Sequence, residues 1–237
     1  MSGKQASLSV IMPVYNEQDA ILLAIDDVQR HVLDLVPGSE LVVVNDGSRD
    51  GTAALVDEAA AGDGRIRVLH KPNGGHGSAV LAGLNVATGQ YLFLIDSDRQ
   101  IPLEEFHLAW NAVQSGSDAV FGVRRRRYDP AFRLYLTRLV RHSVHVLFRV
   151  KLYDANVPYK LFRRAVWNDA RECVPDGTLA PSLFLAIVAK ARGYNVVEVD
   201  VVHKERDTGE VSLRRMKLLK FCAAGLSQML ELRRRVR

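Results

Sequence analysis

Between Leu8 and Gln114 the chain alternates short apolar runs with helical patterns, and each run ends in a polar turn. Leu8 to Pro13 leads through Tyr15-Asn16-Glu17 to apolar residues at Ile21, Leu22, Ile25, Val28, Val32 and Leu35, the period of one helix face. Leu41 to Val44 runs into Asn45 to Thr52 and a helix through Leu55 and Val56 to Ala61. Ile66 to Leu69 runs into Pro72 to Ser78 and a helix over Ala79 to Ala87. Tyr91 to Ile95 runs into Asp96-Ser97-Asp98-Arg99-Gln100, and a helix over Leu103 to Gln114 follows. Strands joined by helices at this spacing predict an α/β fold with a mostly parallel central sheet flanked by helices. The carboxyl edge of such a sheet is where ligands bind.

Beyond Gln114 the pattern loosens. Ala119 to Val123 reads as a fifth strand ending in Arg124 to Arg127, and Ala131 to Arg149 as a helix with Arg133, Arg138, Arg141, His142, His145 and Arg149 on one side. A short strand over Val157 to Phe162, a core helix over Leu183 to Ala191 and an edge strand over Val196 to Val202 follow. Ser212 to Arg235 closes the chain as an amphipathic basic helix. Residues 1–210 are thus expected to form one domain, with 211–237 packed on it or on a membrane interface.

Two carboxylates one residue apart, Asp96 and Asp98, end a strand buried on both faces. From there both can reach a hard cation, directly or through its water, and such a cation would hold a diphosphate. Asp46 is placed to accept from a base or ribose, although Asn-Asp-Gly-Ser is also a common turn. The glycine-rich Asn73 to Ser78, which includes Gly77, either presents N–H groups to an anion or packs as a turn. The seven histidines have no paired spacing that suits a metal or a dyad, and each reads as structural. Cys173 and Cys222, far apart, read as reduced and partly buried thiols.

No apolar run approaches the ~18 to 20 residues of a membrane span. Met1 to Ser7 is short and polar, without the pattern of a secretory signal, so cytoplasmic residence is expected. Net charge is +5, and from Val201 onward ten Lys or Arg stand against four Asp or Glu. The excess therefore belongs to the tail, where no aromatics interleave the arginines, and nucleic-acid binding is not expected.

The chain resembles a family 2 glycosyltransferase of the GT-A fold, and within it the polyprenyl-phosphate sugar synthases of the dolichol-phosphate mannose synthase type. The resemblance spans nearly the whole length. It rests on Pro13-Val14-Tyr15-Asn16-Glu17, Asn45 to Thr52, Asn73 to Gly83, Asp96 to Gln100, Asp154 to Arg164 and Arg206-Asp207-Thr208-Gly209. By this resemblance Pro13, Tyr15, Glu17, Asp46, Gly77, Asp96 and Ser97 serve the nucleotide sugar, and Asp96, Asp98 and Gln100 hold Mg²⁺ or Mn²⁺. Asp98, Arg124 and Arg206 are implied to be catalytic, and Arg124, Lys160, Arg206 and Arg214 to hold the acceptor phosphate. Departures fall on the acceptor side: Val157-Pro158 stands ahead of Tyr159-Lys160, Val211-Ser212 replaces a usual Lys, and the helix near Ala186 lacks an acidic residue.

What the resemblance implies is inverting hexosyl transfer from a nucleotide-diphosphate sugar to a lipid-linked phosphate, peripherally on the inner, anionic membrane face. A phosphate with second pKa near ~6 is already ionised at neutral pH and needs no general base. Asp176, where hydroxyl-using relatives place theirs, reads as a turn residue. A soluble acceptor is the alternative within the fold. An inactive sugar-nucleotide-binding or membrane-binding module is the alternative outside it, and a homo-oligomer fits either.

Overall fold

A computed structural model of the chain describes residues 7–124, 131–154, 157–175, 177–204 and 215–236. Arg206, Arg214, Asp176 and the Arg206 to Gly209 motif lie outside the described residues, as do the side chains of residues 131–136 and 215–223. Strands β1 (Leu8–Val14), β2 (Glu40–Asn45), β3 (Ile66–His70), β4 (Tyr91–Ile95), β5 (Ala119–Val123), β6 (Tyr159–Arg163) and β7 (Val196–Asp200) form one seven-stranded sheet. Its order is β3-β2-β1-β4-β6-β5-β7. β1 pairs in parallel with β2 and β4, β2 with β3, and β5 with β7. Only β6 runs against its neighbours, pairing antiparallel with both β4 and β5.

Helices cover both faces: α1 (Ile21–Val28), α2 (Thr52–Gly62), α3 (His76–Val86), α4 (Phe106–Gln114), α5 (Ala131–Phe148), α6 (Arg164–Cys173), α7 (Pro181–Ala191) and α8 (Arg215–Val236). Alternate residues of each central strand therefore enter different cores, which is why these strands read as continuous apolar runs. Val10, Met12, Phe93 and Ile95 pack with α1 and α4 on one side. Ile11, Leu92 and Leu94 pack with α3, α6 and α7 on the other.

Several boundaries differ from the sequence reading for physical reasons. The expected helix over Ile21 to Leu35 stops at Val28 and widens into a π-helical turn over Gln29–Leu33, closed by Asp34 N–H donating to Gln29 O at 2.9 Å. That extra residue lets both Val32 and Leu33 enter the core. α4 starts at Phe106, after a turn in which Phe106 N–H donates to Leu103 O. β6 starts at Tyr159, since Pro158 lacks a ladder donor. α6, not foreseen, buries Val166, Trp167, Ala170 and Cys173 on one face.

The described half of α8 docks on the domain. Met229 and Leu232 are buried against α6 and α7, and Gln228 accepts Leu179 N–H at 3.1 Å while its amide donates to Gly177 O. Leu226 and Leu230 remain exposed on its outer side.

Candidate active site

The carboxyl ends of β1, β2 and β4 open onto a cleft of about 590 Å³ lined by Pro13, Tyr15, Asn16, Glu17, Asp46, Asn73, Gly75, His76, Asp96, Ser97 and Asp98, with Val14 and Ala79 beneath. The loop after β1 is fixed by the loop after β2. Asn16 N–H donates to Ser48 Oγ at 3.0 Å, Arg49 N–H to Asn16 Oδ1 at 2.8 Å and Glu17 N–H to Thr52 Oγ1 at 2.9 Å. Asn16 itself takes φ 54°, a left-handed conformation that Asn tolerates, and this leaves Tyr15 standing free at the rim.

Asp46 is buried at the cleft floor, and its carboxylate is organised by the glycine-rich segment. Lys71 Nζ and Gly74 N–H donate to its Oδ1, and Gly75 N–H donates to Oδ2 at 2.8 Å. The two glycine donors explain why Asn73 to Gly75 approach so closely. Gly47 must also be glycine: at φ 72° a Cβ there would sit 2.8 Å from Asn73 N. Gly77 lies behind the cleft, not on its lining. A Cβ there would fall 2.4 Å from Thr178 O, so the residue is small to admit the Gly177 to Leu179 turn that Gln228 holds.

Asp96 and Asp98 face the cleft from the end of β4, and Ser97 between them is buried. Asp98 Oδ1 accepts Gln100 N–H at 3.1 Å. Gln100 is turned aside, its amide donating to Lys204 O at 3.2 Å, and it does not line the cleft. Burial raises the proton affinity of Asp96, and the neighbouring Asp98 charge adds to it, while His76, Arg124 and Lys160 act in opposition. Two hard oxygen donors that repel each other at the end of one strand fit a divalent cation such as Mg²⁺ or Mn²⁺. Among the described residues no three His, Cys, Asp or Glu gather into a protein-only cage. The pair therefore suits a cation that keeps water and phosphate among its ligands.

His76, read from sequence as structural, opens α3 on the cleft wall with Nε2 at 3.7 Å from Asp96 Oδ1. The only local signal for it was its place directly after two glycines at a helix start.

Beyond β5 a second cleft of about 670 Å³ is lined by Val123, Arg124, Arg141, Tyr153, Glu198 and Asp200. Arg124 is held there by Asp154 through Nε to Oδ2 at 2.6 Å and Nη2 to Oδ1 at 3.0 Å. Lys160 is fully buried in β6, donating to Val157 O at 2.7 Å and lying 5.6 Å from the Phe121 ring centre. Burial brings its pKa down to about 7, with the Asp154 and Asp96 carboxylates opposing and Arg124 adding to the drop. Arg124 and Lys160 thus come together on the β5 and β6 side of the strand that bears Asp96.

A mostly parallel sheet with a nucleotide-sized cleft over its carboxyl edge and an Asp-x-Asp at its centre defines the GT-A class of nucleotide-diphospho-sugar transferase folds. The chain belongs to glycosyl transferase family 2, whose sequence profile matches residues 9–183. Undecaprenyl-phosphate 4-deoxy-4-formamido-L-arabinose transferase of Pseudomonas aeruginosa (strain PAO1) is 32% identical over 214 residues, covering 90% of this chain and 62% of the relative. The protein of the same name from Aeromonas hydrophila is also 32% identical, over 90% of this chain and 64% of its own length. The chain therefore spans somewhat under two thirds of these curated relatives. Glucosyl-3-phosphoglycerate synthase of Mycobacterium tuberculosis, crystallised with Mn²⁺, UDP and phosphoglyceric acid, superposes with TM-score 0.68 at 20% identity, over 96% of this chain and 78% of that one. At that identity the likeness is one of fold.

Proposed function

We propose that the chain is an inverting glycosyltransferase that moves a hexosyl group from a nucleotide-diphosphate sugar onto a polyprenyl phosphate at the cytoplasmic face of a membrane. The observation that carries this reading is the gathering of Asp46, Tyr15, Asp96 and Asp98 around one cleft, with Arg124 and Lys160 across β4 from it. Asp46, preset by three donors, receives the base. Tyr15 lies beside the nucleoside, and Asp96 and Asp98 hold Mg²⁺ or Mn²⁺, whose chemistry when bound is to offset charge gathering on the departing diphosphate. Arg124 offers a guanidinium fork to the acceptor phosphate, exchanging part of its hold on Asp154. The curated relatives named for undecaprenyl phosphate support the lipid acceptor.

A soluble, phosphorylated acceptor is the second reading. It is favoured by the charged groups of the cleft beside Arg124, where Arg141, Glu198 and Asp200 stand with Val123 and Tyr153. Purified protein incubated with Mn²⁺, a panel of nucleotide sugars and undecaprenyl phosphate separates the two. The lipid reading expects sugar in the organic phase and nucleoside diphosphate release that depends on the lipid. Release that instead follows a water-soluble phosphate, with no lipid product, overturns it.

A further inference from the structure

We propose a second anion-binding site, outside the nucleotide cleft, in which α5 and the segment after it seat the phosphate groups of an anionic lipid surface. A cleft of about 400 Å³ is lined by Arg138, Arg141, His142, His145, Lys151 and Tyr153, with Val150 and Leu152 behind them. Between Ala131 and Tyr153 the sequence has no Asp or Glu at all. None of the described carboxylates pairs with Arg138, Arg141 or Lys151, whereas Arg65, Arg67, Lys71, Arg99, Arg124, Lys190 and Arg192 are each matched to an acidic partner. Two arginines, a lysine and two histidines thus stand together in one cleft whose lining holds no carboxylate, an arrangement that suits an anion.

The surroundings of the cleft choose the ligand's source. Leu139 is 49% exposed, Val146 59% and Tyr153 62%. Leu139 and Val146 are two turns apart on the outward side of α5, opposite the fully buried Val144. Apolar groups beside unpaired guanidinium groups suit a helix lying at the level of lipid headgroups, where the charges meet phosphate and the side chains enter the acyl boundary. A free phosphate would gain nothing from them. The cleft also shares Arg141 and Tyr153 with the one that ends at Arg124. A surface docked on α5 would thus lie against the acceptor end of the active site, a point that rests on the functional reading above.

Sedimentation with vesicles tests the site. Wild-type protein is expected to bind phosphatidylglycerol vesicles at low salt, to leave phosphatidylcholine vesicles in the supernatant, and to release as salt rises. Arg138→Glu with Lys151→Glu changes two exposed side chains and should weaken partitioning at least about tenfold, with UDP and Mn²⁺ affinity and melting temperature unchanged. Arg138→Gln, a milder change, should act in the same direction. Binding by the double variant within about twofold of wild type overturns the proposal, as does indifference of the wild type to anionic vesicles. Saturable binding of inorganic phosphate by a protein that ignores vesicles reassigns the cleft to a free ion and overturns the lipid source. Because UDP binding is read on the same samples, a wild type that ignores anionic vesicles yet binds UDP defeats this proposal alone. Vesicle binding by a protein that binds neither UDP nor GDP defeats the donor reading alone.

Discussion

Arg124 grips Asp154 with both arms of its guanidinium, Nε to Oδ2 at 2.6 Å and Nη2 to Oδ1 at 3.0 Å, and so ties the end of β5 to the loop that leads into β6. Both side chains are nearly buried. Arg124→Ala removes the two guanidinium bonds to the buried Asp154 carboxylate, and breaking one side of such a pair costs about 3 kcal/mol or more. Denaturant unfolding should show that loss, and Arg124→Met with Asp154→Leu should recover much of it. A single variant within about 1 kcal/mol of wild type would mean that the pair is solvated in solution. At temperatures where Arg124→Ala stays folded, its turnover should fall while nucleoside diphosphate affinity holds. A large loss of that affinity would move Arg124 to the donor.

Lys160 makes stability depend on pH. Its folded pKa of about 7 lies below the ordinary lysine value. Between the two, the unfolded chain binds a proton that the folded chain does not. Stability should therefore rise with pH from about 7 to about 10.4. Below pH 7 both states are protonated and the cost of burying the charge is felt in full. Lys160→Met should thus stabilise by an amount on the order of a few kcal/mol at pH 6.5 and by much less at pH 9.5. Equal effects at the two pH values would show that the ammonium stays charged in the fold.

Gly77 has a neighbour that leaves no room for a Cβ. Gly77→Ala puts a methyl group 2.4 Å from Thr178 O and should cost about 1 to 3 kcal/mol. Gly64→Ala, where a Cβ meets nothing within 4 Å, is the control and should be nearly neutral. If the two variants melt together, the Gly177 to Leu179 turn moves freely and does not brace α3.

What the sequence disclosed was what is local. Tyr91 to Ile95 declared itself by its apolar run and by the two carboxylates that follow it, and β4 keeps those bounds. The loops after β1 and β2 carried turn residues whose bonds the fold makes. Direction in a sheet leaves no such trace. The apolar core of β6 gives no sign that it runs antiparallel between β4 and β5, and its buried Lys160 breaks the run. α6 escaped because Val166, Trp167, Ala170 and Cys173 are set among charged and polar residues. The roles of His76 and of Asp154, the latter read only as the start of the Asp154 to Arg164 motif, were hidden for another reason: each depends on a partner brought in by the fold, Asp96 in one case and Arg124 in the other.

The cleft at Asp96 and Asp98 is tested most directly by calorimetric titration of UDP in the presence of Mn²⁺ and of EDTA, with wild type and Asp98→Ala side by side. Asp98 faces solvent at a strand end, so its loss should leave the melting temperature nearly unchanged. Mn²⁺ is expected to strengthen UDP binding to the wild type by at least about tenfold, roughly 1.4 kcal/mol, and this gain should vanish in the variant. UDP affinity that ignores Mn²⁺, or an Asp98→Ala protein that keeps the whole gain, would contradict the assignment of these two carboxylates.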